Sequence, residues 1–457
     1  MKADNTTPHN STAQARGFAF FRQTGWMVVA TTLGGLCMWL LHIPAQANMS
    51  KSEYGVFLAL LQVLNLMLIP SLGLQSVFAQ QTAGAISAEL RKQLASTTRR
   101  LLGGVFVLWV AMVALGLLFQ NQVISTLKIA NPAAWWITML IGLAMLWLPI
   151  VQGLLQGAQN FFWLGGVQIL NGCGRFIGVL VLVWGLGLQS LGAMTAALAG
   201  FWLAGVVAVW QSRSLWLGHG APMQWPSWFA RVIPLTLGLG AGQFMMSADL
   251  ILVQSVFDKE VTYLYGAPGM IGRALIFFTA AVLSVMFPKI VASAARAEKT
   301  NVLVLALGAT AALGGLAALA CTVLPELPLR IIYKREYWVA APLVPWFVWC
   351  MLPLTLSNVL IGNLLARQRW EAVPYIVLVA AAYGAALLAT GTTLMGRSSI
   401  FPVIFQEAEQ FAAFRMVVRT LGLFSLLLLF VSLWFTLKKD ASAAAETNPA
   451  CGKARVQ

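Results

Sequence analysis

The sequence predicts an all-α polytopic membrane protein, with twelve transmembrane helices in two pseudo-symmetric six-helix lobes around a central cavity. Hydrophobic residues make up 59% of the 457 residues and charged residues only 9%, whereas a soluble domain has about 25% charged residues. Lipid must therefore cover the apolar excess. Apolar runs of spanning length also recur along the chain, and two landmarks in the first half return in the second at offsets that agree within one residue.

Each apolar run is close to the roughly 20 residues that cross a bilayer as a helix. We expect spans at 25–47, 54–77, 101–120, 134–155, 164–187, 190–210, 232–256, 264–287, 302–323, 342–363, 374–395 and 416–437. No segment between them is long enough to fold as a separate domain. Any function therefore lies in the helical bundle or on short loops.

The first span has two interpretations. Lys2, Arg16 and Arg22 precede its apolar run, and Ala45-Gln46-Ala47 has the pattern of a signal-peptidase site. The run from Gly25 to Ile43 is longer than the about 7–15 apolar residues of a signal peptide. We therefore expect an uncleaved first transmembrane helix rather than a removed signal.

The lysines and arginines predict the orientation, because cytoplasmic loops carry an excess of them. With a cytoplasmic N-terminus, the cytoplasmic segments hold 18 of the 29 basic residues, the opposite side 9, and the spans the other 2. Both termini are thus expected in the cytoplasm. The net charge of +15 sits in loop clusters and not in a continuous stripe, so we expect no nucleic-acid partner.

A repeat relates the two halves. Tyr54-Gly55 returns as Tyr265-Gly266 at an offset of 211, and Leu154-Leu155 as Leu364-Leu365 at 210. Two six-helix halves with one shared orientation are expected, as in parallel-repeat transporters. The expected organisation is a cytoplasmic N-terminal segment at 1–24, an N-lobe at 25–210, a cytoplasmic connector at 211–231, a C-lobe at 232–437 and a disordered cytoplasmic tail at 438–457.

Charged side chains within the spans are the strongest functional signal, because each costs about 2.5–3.5 kcal/mol to insert at mid-depth. Arg175 lies in the fifth span and shares a helix face with Gln168 and Asn171 at the spacing i, i+3, i+7. One interpretation is a wall that contacts sugar and phosphate, with the arginine as a forked donor. The other is that the two amides only join helices.

Asp249 in the seventh span and Arg273 in the eighth form a second constellation. Their distances from the span ends place them at similar depth in antiparallel neighbours, so an ion pair is feasible. Protonation of Asp249 would then release Arg273 for an anionic substrate. The alternative is a permanent structural pair.

Uncharged polar residues within the spans indicate a functional site less strongly than the charged residues do. Gln62 and Asn65 in the second span suit a hydroxyl-rich ligand, and they equally suit contacts between helices. His42, near the outer end of the first span, is expected to be an interfacial side chain.

The chain lacks the sequence motifs of several enzyme classes. There is no G-x-x-x-x-G-K-[ST], H-E-x-x-H or G-x-S-x-G, and the five cysteines form no C-x-x-C. We expect no catalytic residue, no metal site and no cofactor.

Several segments together resemble one family, and the resemblance covers about residues 20–437. These segments are Ser50-Lys-Ser-Glu-Tyr-Gly-Val-Phe57, Leu72-Gly-Leu74, Leu154-Leu-Gln-Gly157, Gln159-Asn-Phe161, Asp249, Val261-Thr-Tyr-Leu-Tyr-Gly266 and Phe287-Pro-Lys289. They are similar to the polysaccharide/O-antigen flippases of the multidrug/oligosaccharidyl-lipid/polysaccharide (MOP) exporter superfamily.

The resemblance implies two six-helix lobes that move a lipid-linked oligosaccharide, usually on undecaprenyl diphosphate, to the periplasmic leaflet of the bacterial inner membrane. The product would feed a cell-surface polysaccharide such as the O-antigen of lipopolysaccharide. Asp249 matches the family's acidic position in the seventh span. Arg175 and Arg273 would be cavity cations, placed by depth and not by a family motif. Implied partners are membrane lipids, a coupling proton or sodium ion, glycan polymerase and other assembly proteins.

Two other function classes remain open. An ion-coupled small-molecule exporter of the same superfamily would handle cationic drugs and should have an acidic cavity. A membrane glycan-assembly enzyme would need a large catalytic external loop, and a scaffold subunit would not complement a strain without a flippase.

Overall fold

A computed structural model describes residues 9–222, 225–274, 302–400 and 407–438, which form helices and no strand. The helices are α1 His9–Leu40, α2 His42–Asn48, α3 Lys51–Met67, α4 Leu72–Gly84, α5 Ala88–Leu118, α6 Gln120–Thr126, α7 Pro132–Gly157, α8 Phe161–Val179, α9 Gln189–Trp216, α10 Trp225–Val256, α11 262–274, α12 Val302–Val323, α13 Leu327–Ile332, α14 Val344–Ala366, α15 Val373–Ile400 and α16 Glu407–Leu437. Short tight turns of helix at Ile69–Ser71, Arg335–Leu343 and Trp370–Ala372 precede α4, α14 and α15.

Eleven helical segments in the described part of the chain are long and apolar enough to cross a membrane, and they coincide with eleven predicted spans. The predicted eighth span, 264–287, starts in α11 and continues outside the described residues, as does Phe287-Pro-Lys289. The first eight residues and the predicted tail after 438 also lie outside them. The predicted fold class of a polytopic all-α membrane protein is confirmed.

Helix ends differ from the predicted span ends. Helix α9 continues to Trp216 and α10 begins at Trp225, so both enter the segment predicted as a connector, 211–231. Hydropathy marks where apolar residues stop, whereas a helix continues for as long as its backbone hydrogen bonds do. Among the described residues of the connector, 217–222 are not helical.

The N-lobe is built around α7, α8 and α9. Helix α8 packs against α1 and α9, while α7 packs against α4, α5 and α9. Close approach of α1 and α8 depends on small residues, because a side chain at Gly172 would collide with the backbone of Gly34. The segment Ala45-Gln46-Ala47 lies in α2, where Ala45 is buried, and therefore forms part of this folded lobe.

The C-lobe is built around α14 and α16, with α12 against α14 and α15 against α10 and α16. Helix α10 also packs against α3 and α4 and so joins the two lobes. The predicted repeat has a structural counterpart, since α7 and α14 end in the same turn. Gln159 and Gln368 adopt φ values of 57° and 56°, and the next residue donates its backbone N–H to Leu155 and Leu364, respectively.

Candidate functional site

A cavity of about 130 Å³ lies between the lobes. It contains four of the residues that the sequence predicts for the site: Gln62 and Asn65 from α3, Arg175 from α8 and Arg273 from α11. The other lining residues are mostly apolar: Met38, Trp39, Leu41, His42, Leu61, Leu64, Met145, Phe201, Met246 and Met270. Side chains from opposite halves of the chain therefore share one site.

Arg175 supplies the N-lobe cation of this cavity. Its side chain is 4% exposed and its guanidinium lies over the ring of Phe201, 5.0 Å from the centroid. Gly200 leaves room for the arginine, because a Cβ there would collide with the Cγ of Arg175. In the described part of the chain the guanidinium has no acidic partner, and its buried Nε has no hydrogen-bond acceptor. Such an intramembrane charge has the character of a ligand-binding group.

Arg273 supplies the C-lobe cation, and here the predicted ion pair with Asp249 is confirmed. Its Nη2 lies 2.5 Å from Oδ1 of Asp249, and its Nε donates to the carbonyl of Met246 at 2.9 Å. The hydroxyl of Tyr265 donates to the second carboxylate oxygen at 2.9 Å. Nη1 of Arg273 is buried and has no acceptor among the described residues. Both oxygens of Asp249 are thus occupied, and the carboxylate lies behind the arginine, away from the cavity.

Gln62 and Asn65 form a polar pair one helical turn apart on α3. The amide nitrogen of Asn65 donates to the side-chain oxygen of Gln62 at 3.1 Å. This bond uses one donor and one acceptor of the pair, and each amide has further capacity. The pair can therefore serve a hydroxyl-rich ligand in the cavity.

Gln168 and Asn171 do not line this cavity, although they share a helix face with Arg175. The backbone at Gln168 lies against Gly34 of α1, and the backbone carbonyl of Asn171 lies against Gly200 of α9. Seven residues of helix rise about 10.5 Å, so a stripe on one face spans several depths. The cavity reaches Arg175, whereas the backbone at the other two positions meets neighbouring helices.

His42 belongs to the cavity wall, and the expectation that it is an interfacial side chain is wrong. It is 5% exposed, and its Nδ1 lies 3.1 Å from the hydroxyl of Tyr54. That hydroxyl lies 3.1 Å from the hydroxyl of Tyr333, which belongs to the C-lobe. A chain of hydrogen bonds thus runs from the cavity across to the opposite lobe. The position of His42 along the predicted span does not indicate that its side chain faces the cavity, because that direction depends on the break between α1 and α2.

The lobes close against each other at the end of the bundle that contains α2 and α13. Tyr54 meets the rings of Tyr333 and Tyr337 edge-on, while those two rings stack on each other, and we call this contact the tyrosine seam. Beside it, Nζ of Lys51 lies 2.9 Å from Oε2 of Glu336, and Gln46 donates to the carbonyl of Ile332 at 2.9 Å. The cavity is therefore separated from solvent at this end.

A lysine from the N-lobe donates hydrogen bonds to the C-lobe near the same end. Nζ of Lys128 donates to the carbonyls of Gln254, at 3.1 Å, and of Phe257. Partial burial lowers the pKa of this lysine, and the nearby carboxylate of Asp258 opposes the shift. The side chain of Gln254 returns a bond to the carbonyl of Leu127 at 3.0 Å. The loop after α6 is thus bound to the end of α10.

Comparison with protein-family models and with curated proteins gives no match. Solved structures do match. An inward-facing multidrug resistance MATE family transporter of the MOP superfamily has a TM-score of 0.62 at 13% identity, covering 92% of this chain and 96% of that one. The lipid II flippase MurJ, in an inward closed conformation, has a TM-score of 0.63 at 14% identity, covering 89% and 87%.

The chain shares the fold of these transporters. A MOP superfamily transporter from Pyrococcus furiosus also matches, with a TM-score of 0.59 at 11% identity and coverage of 94% and 96%. That protein is described as having a binding pocket of reverse polarity that suggests a different function. These matches show a shared fold.

Proposed function

We propose that this protein flips a lipid-linked oligosaccharide, carried on a diphosphate lipid such as undecaprenyl diphosphate, from the cytoplasmic to the periplasmic leaflet of the bacterial inner membrane. The observation that carries the proposal is the meeting of Arg175 and Arg273, from opposite lobes, at one cavity. We propose that both termini lie in the cytoplasm, which would put the tyrosine seam on the periplasmic side. The lobes correspond to 25–210 and 232–437.

The charge of the cavity favours an anionic ligand. Among the described residues two arginines line it and no acidic residue does, since Asp249 is fully buried behind Arg273. Arginine is suited to phosphate because its planar fork donates two parallel hydrogen bonds to neighbouring oxygens. A cationic drug would be repelled by the same wall, which argues against a multidrug exporter of cations.

The remaining lining suits the other parts of such a substrate. Gln62 and Asn65 offer amide groups to sugar hydroxyls. The four methionines of the lining offer a polarizable and adaptable surface that can repack around a ligand. An amphipathic organic anion would find the same groups, so a small-molecule exporter that handles anions is the second candidate.

Transport requires a second conformation. At about 130 Å³ the cavity is smaller than the about 300–1,000 Å³ of ordinary small-molecule sites. An oligosaccharide headgroup enters only after the lobes separate, while the lipid tail remains in the bilayer. Rocking of the two lobes, with the tyrosine seam closed while the cavity opens to one leaflet and open while it faces the other, provides this change.

Coupling to a proton or sodium gradient is assigned to Asp249. In the present geometry Asp249 holds Nη2 of Arg273. Neutralising the carboxylate by a proton, or shielding it by a cation, would release that nitrogen toward the cavity. The substrate phosphate would then contact a second cation in the substrate-bound state. A contact made in only one conformation shifts the equilibrium toward that conformation.

The test is flipping of a fluorescent undecaprenyl-diphosphate-linked oligosaccharide in proteoliposomes. Arg175→Ala combined with Arg273→Ala should reduce the initial rate at least tenfold, because a hydrogen bond to a charged group contributes about 1.5–3 kcal/mol. Arg419→Ala is the matched control, since Arg419 lies in α16, over Trp346 and away from the cavity. A double variant that flips as fast as the control would refute the phosphate role.

A further inference from the structure

A second concave surface lies at the end of the N-lobe opposite the tyrosine seam. It is a groove of about 480 Å³ where α4 ends, α5 begins and α9 ends. Its lining consists of Thr82, Ala85, Arg91, Lys92, Leu94, Ala95, Ala158, Ser214, Leu215, Gly218 and His219. We call it the α5 groove. None of these residues lines the transport cavity.

The α5 groove is basic. Arg91 and Lys92 line it, and no acidic residue in the described part of the chain does. Nε of Arg91 donates to the carbonyl of Ala85 at 3.2 Å, which orients the side chain and leaves the two terminal nitrogens for another acceptor. Glu89 lies 3.9 Å from Nζ of Lys92, and both are more than half exposed, so this pair neutralises little.

The far wall of the groove is held in place by α5 itself. Nη1 of Arg99 donates to the carbonyls of Trp216 at 2.7 Å and Gly218 at 2.5 Å. The hydroxyl of Ser96 donates to the carbonyl of Ala221 at 2.7 Å. The connector after α9 is therefore fixed beside the basic residues, and a ligand need not order it on binding.

Three residues next to groove-lining residues in the chain have exposed apolar side chains, and we call them the apolar border. Ile86 is 83% exposed, Leu90 44% and Leu217 62%, and each is adjacent in the chain to a lining residue. A soluble anion would make no favourable contact with these apolar side chains. A molecule with an anionic head and an apolar body satisfies the basic groove and the border together.

We infer that the α5 groove binds the phosphate headgroup of an anionic membrane phospholipid, with the acyl chains along Ile86, Leu90 and Leu217. The positive-inside rule explains why basic residues occur at this end. It does not explain a connector fixed across them or an apolar border beside them. Binding here anchors the N-lobe at the membrane surface and is independent of what the transport cavity carries.

The experiment titrates short-chain phosphatidylglycerol against the detergent-solubilised full chain and counts bound lipid by native mass spectrometry. Arg91→Gln combined with Lys92→Gln should weaken binding about 30-fold, since a basic residue at an anionic surface contributes roughly a factor of five. The matched control is Arg100→Gln with Arg231→Gln. These residues lie on α5 and α10, are exposed, and neither line the groove nor adjoin a lining residue in the chain.

Two comparisons decide the source of the phosphate. Glycerol 3-phosphate should bind far more weakly than phosphatidylglycerol, and Ile86→Ser should weaken only the lipid. Phosphatidylcholine of the same chain length should bind weakly to every variant. Equal loss in the two double variants would show a general charge effect and overturn the proposal, as would tight binding of glycerol 3-phosphate. Since all four basic side chains are exposed, their replacement leaves the buried core unchanged.

Discussion

Arg273 bonds to Asp249 and at the same time faces the cavity. Its Nη2 is held by the carboxylate and its Nε by a backbone carbonyl, while Nη1 has no acceptor in the described part of the chain. Tyr265 fills the second oxygen of the carboxylate. The pair is therefore either a permanent brace between α10 and α11 or a switch, and neutralising the acid has a different effect in each role.

Asp249→Asn separates these roles. As a switch, the variant should flip substrate at a rate independent of pH and of the sodium gradient, because the carboxylate that responds to them is gone. As a brace, it should lower the free energy of unfolding by about 3–5 kcal/mol, since it leaves a buried unpaired charge. Flipping assays across pH and thermal unfolding in detergent measure the two effects. Unchanged pH and sodium dependence would remove Asp249 from coupling.

A compensating variant serves as the control. Asp249→Asn with Arg273→Gln removes both buried charges, so stability should largely return. Flipping would remain poor, because the cavity has then lost one of its two arginines. Recovery of both stability and flipping would contradict the assignment of Arg273 to the substrate.

At the scale of elements, the break between α1 and α2 turns His42 toward the cavity and beside α3. From there Tyr54 connects it to Tyr333, which immediately follows α13. Two hydrogen bonds on one hydroxyl thus link a cavity residue to the contact between the lobes. A ligand that displaces His42 would act directly on this contact.

Tyr54→Phe should loosen the tyrosine seam while keeping the aromatic packing. Each lost hydrogen bond costs about 1 kcal/mol, so backbone amides of α2 and α13 should exchange with deuterium up to about 30-fold faster. Tyr337→Phe is the matched control. Tyr337 stacks in the same seam, and no hydrogen bond of its hydroxyl occurs among the described residues. Equal exchange in both variants would show that stacking alone holds the seam.

At the scale of the whole molecule, the lobes contact each other along α10 with α3 and α4 and at the tyrosine seam. Alternating access predicts that the seam opens once in every cycle. A link across it should therefore stop transport without unfolding either lobe.

Lys51→Cys with Glu336→Cys, in a background without other cysteines, tests this through a short cleavable bis-methanethiosulfonate reagent. Nζ of Lys51 and Oε2 of Glu336 lie 2.9 Å apart across the lobes. Cross-linking should abolish flipping, and reduction should restore it. Glu326→Cys with Arg330→Cys is the matched control, because these residues pair at 2.5 Å within the C-lobe. Transport that persists after complete linking across the seam would exclude its opening.

The sequence by itself determined residence in the membrane, the eleven described spans and the twofold repeat. These depend on local properties, namely the cost of exposing polar backbone to lipid and the length of a helix that crosses it. It also identified the costly charges Arg175, Asp249 and Arg273 and the feasible ion pair between the last two. Charge within an apolar run is visible without any knowledge of neighbours.

Only the tertiary structure decided which of these polar residues share a cavity. Helix rotation and the docking of the lobes bring Arg175 and Arg273 together, keep Gln168 and Asn171 outside, and add His42. Tyr265 joins for the same reason, because its bond to Asp249 connects two helices. Depth can be estimated from position along a span. Facing direction cannot, because it depends on side-chain packing between helices far apart in the chain.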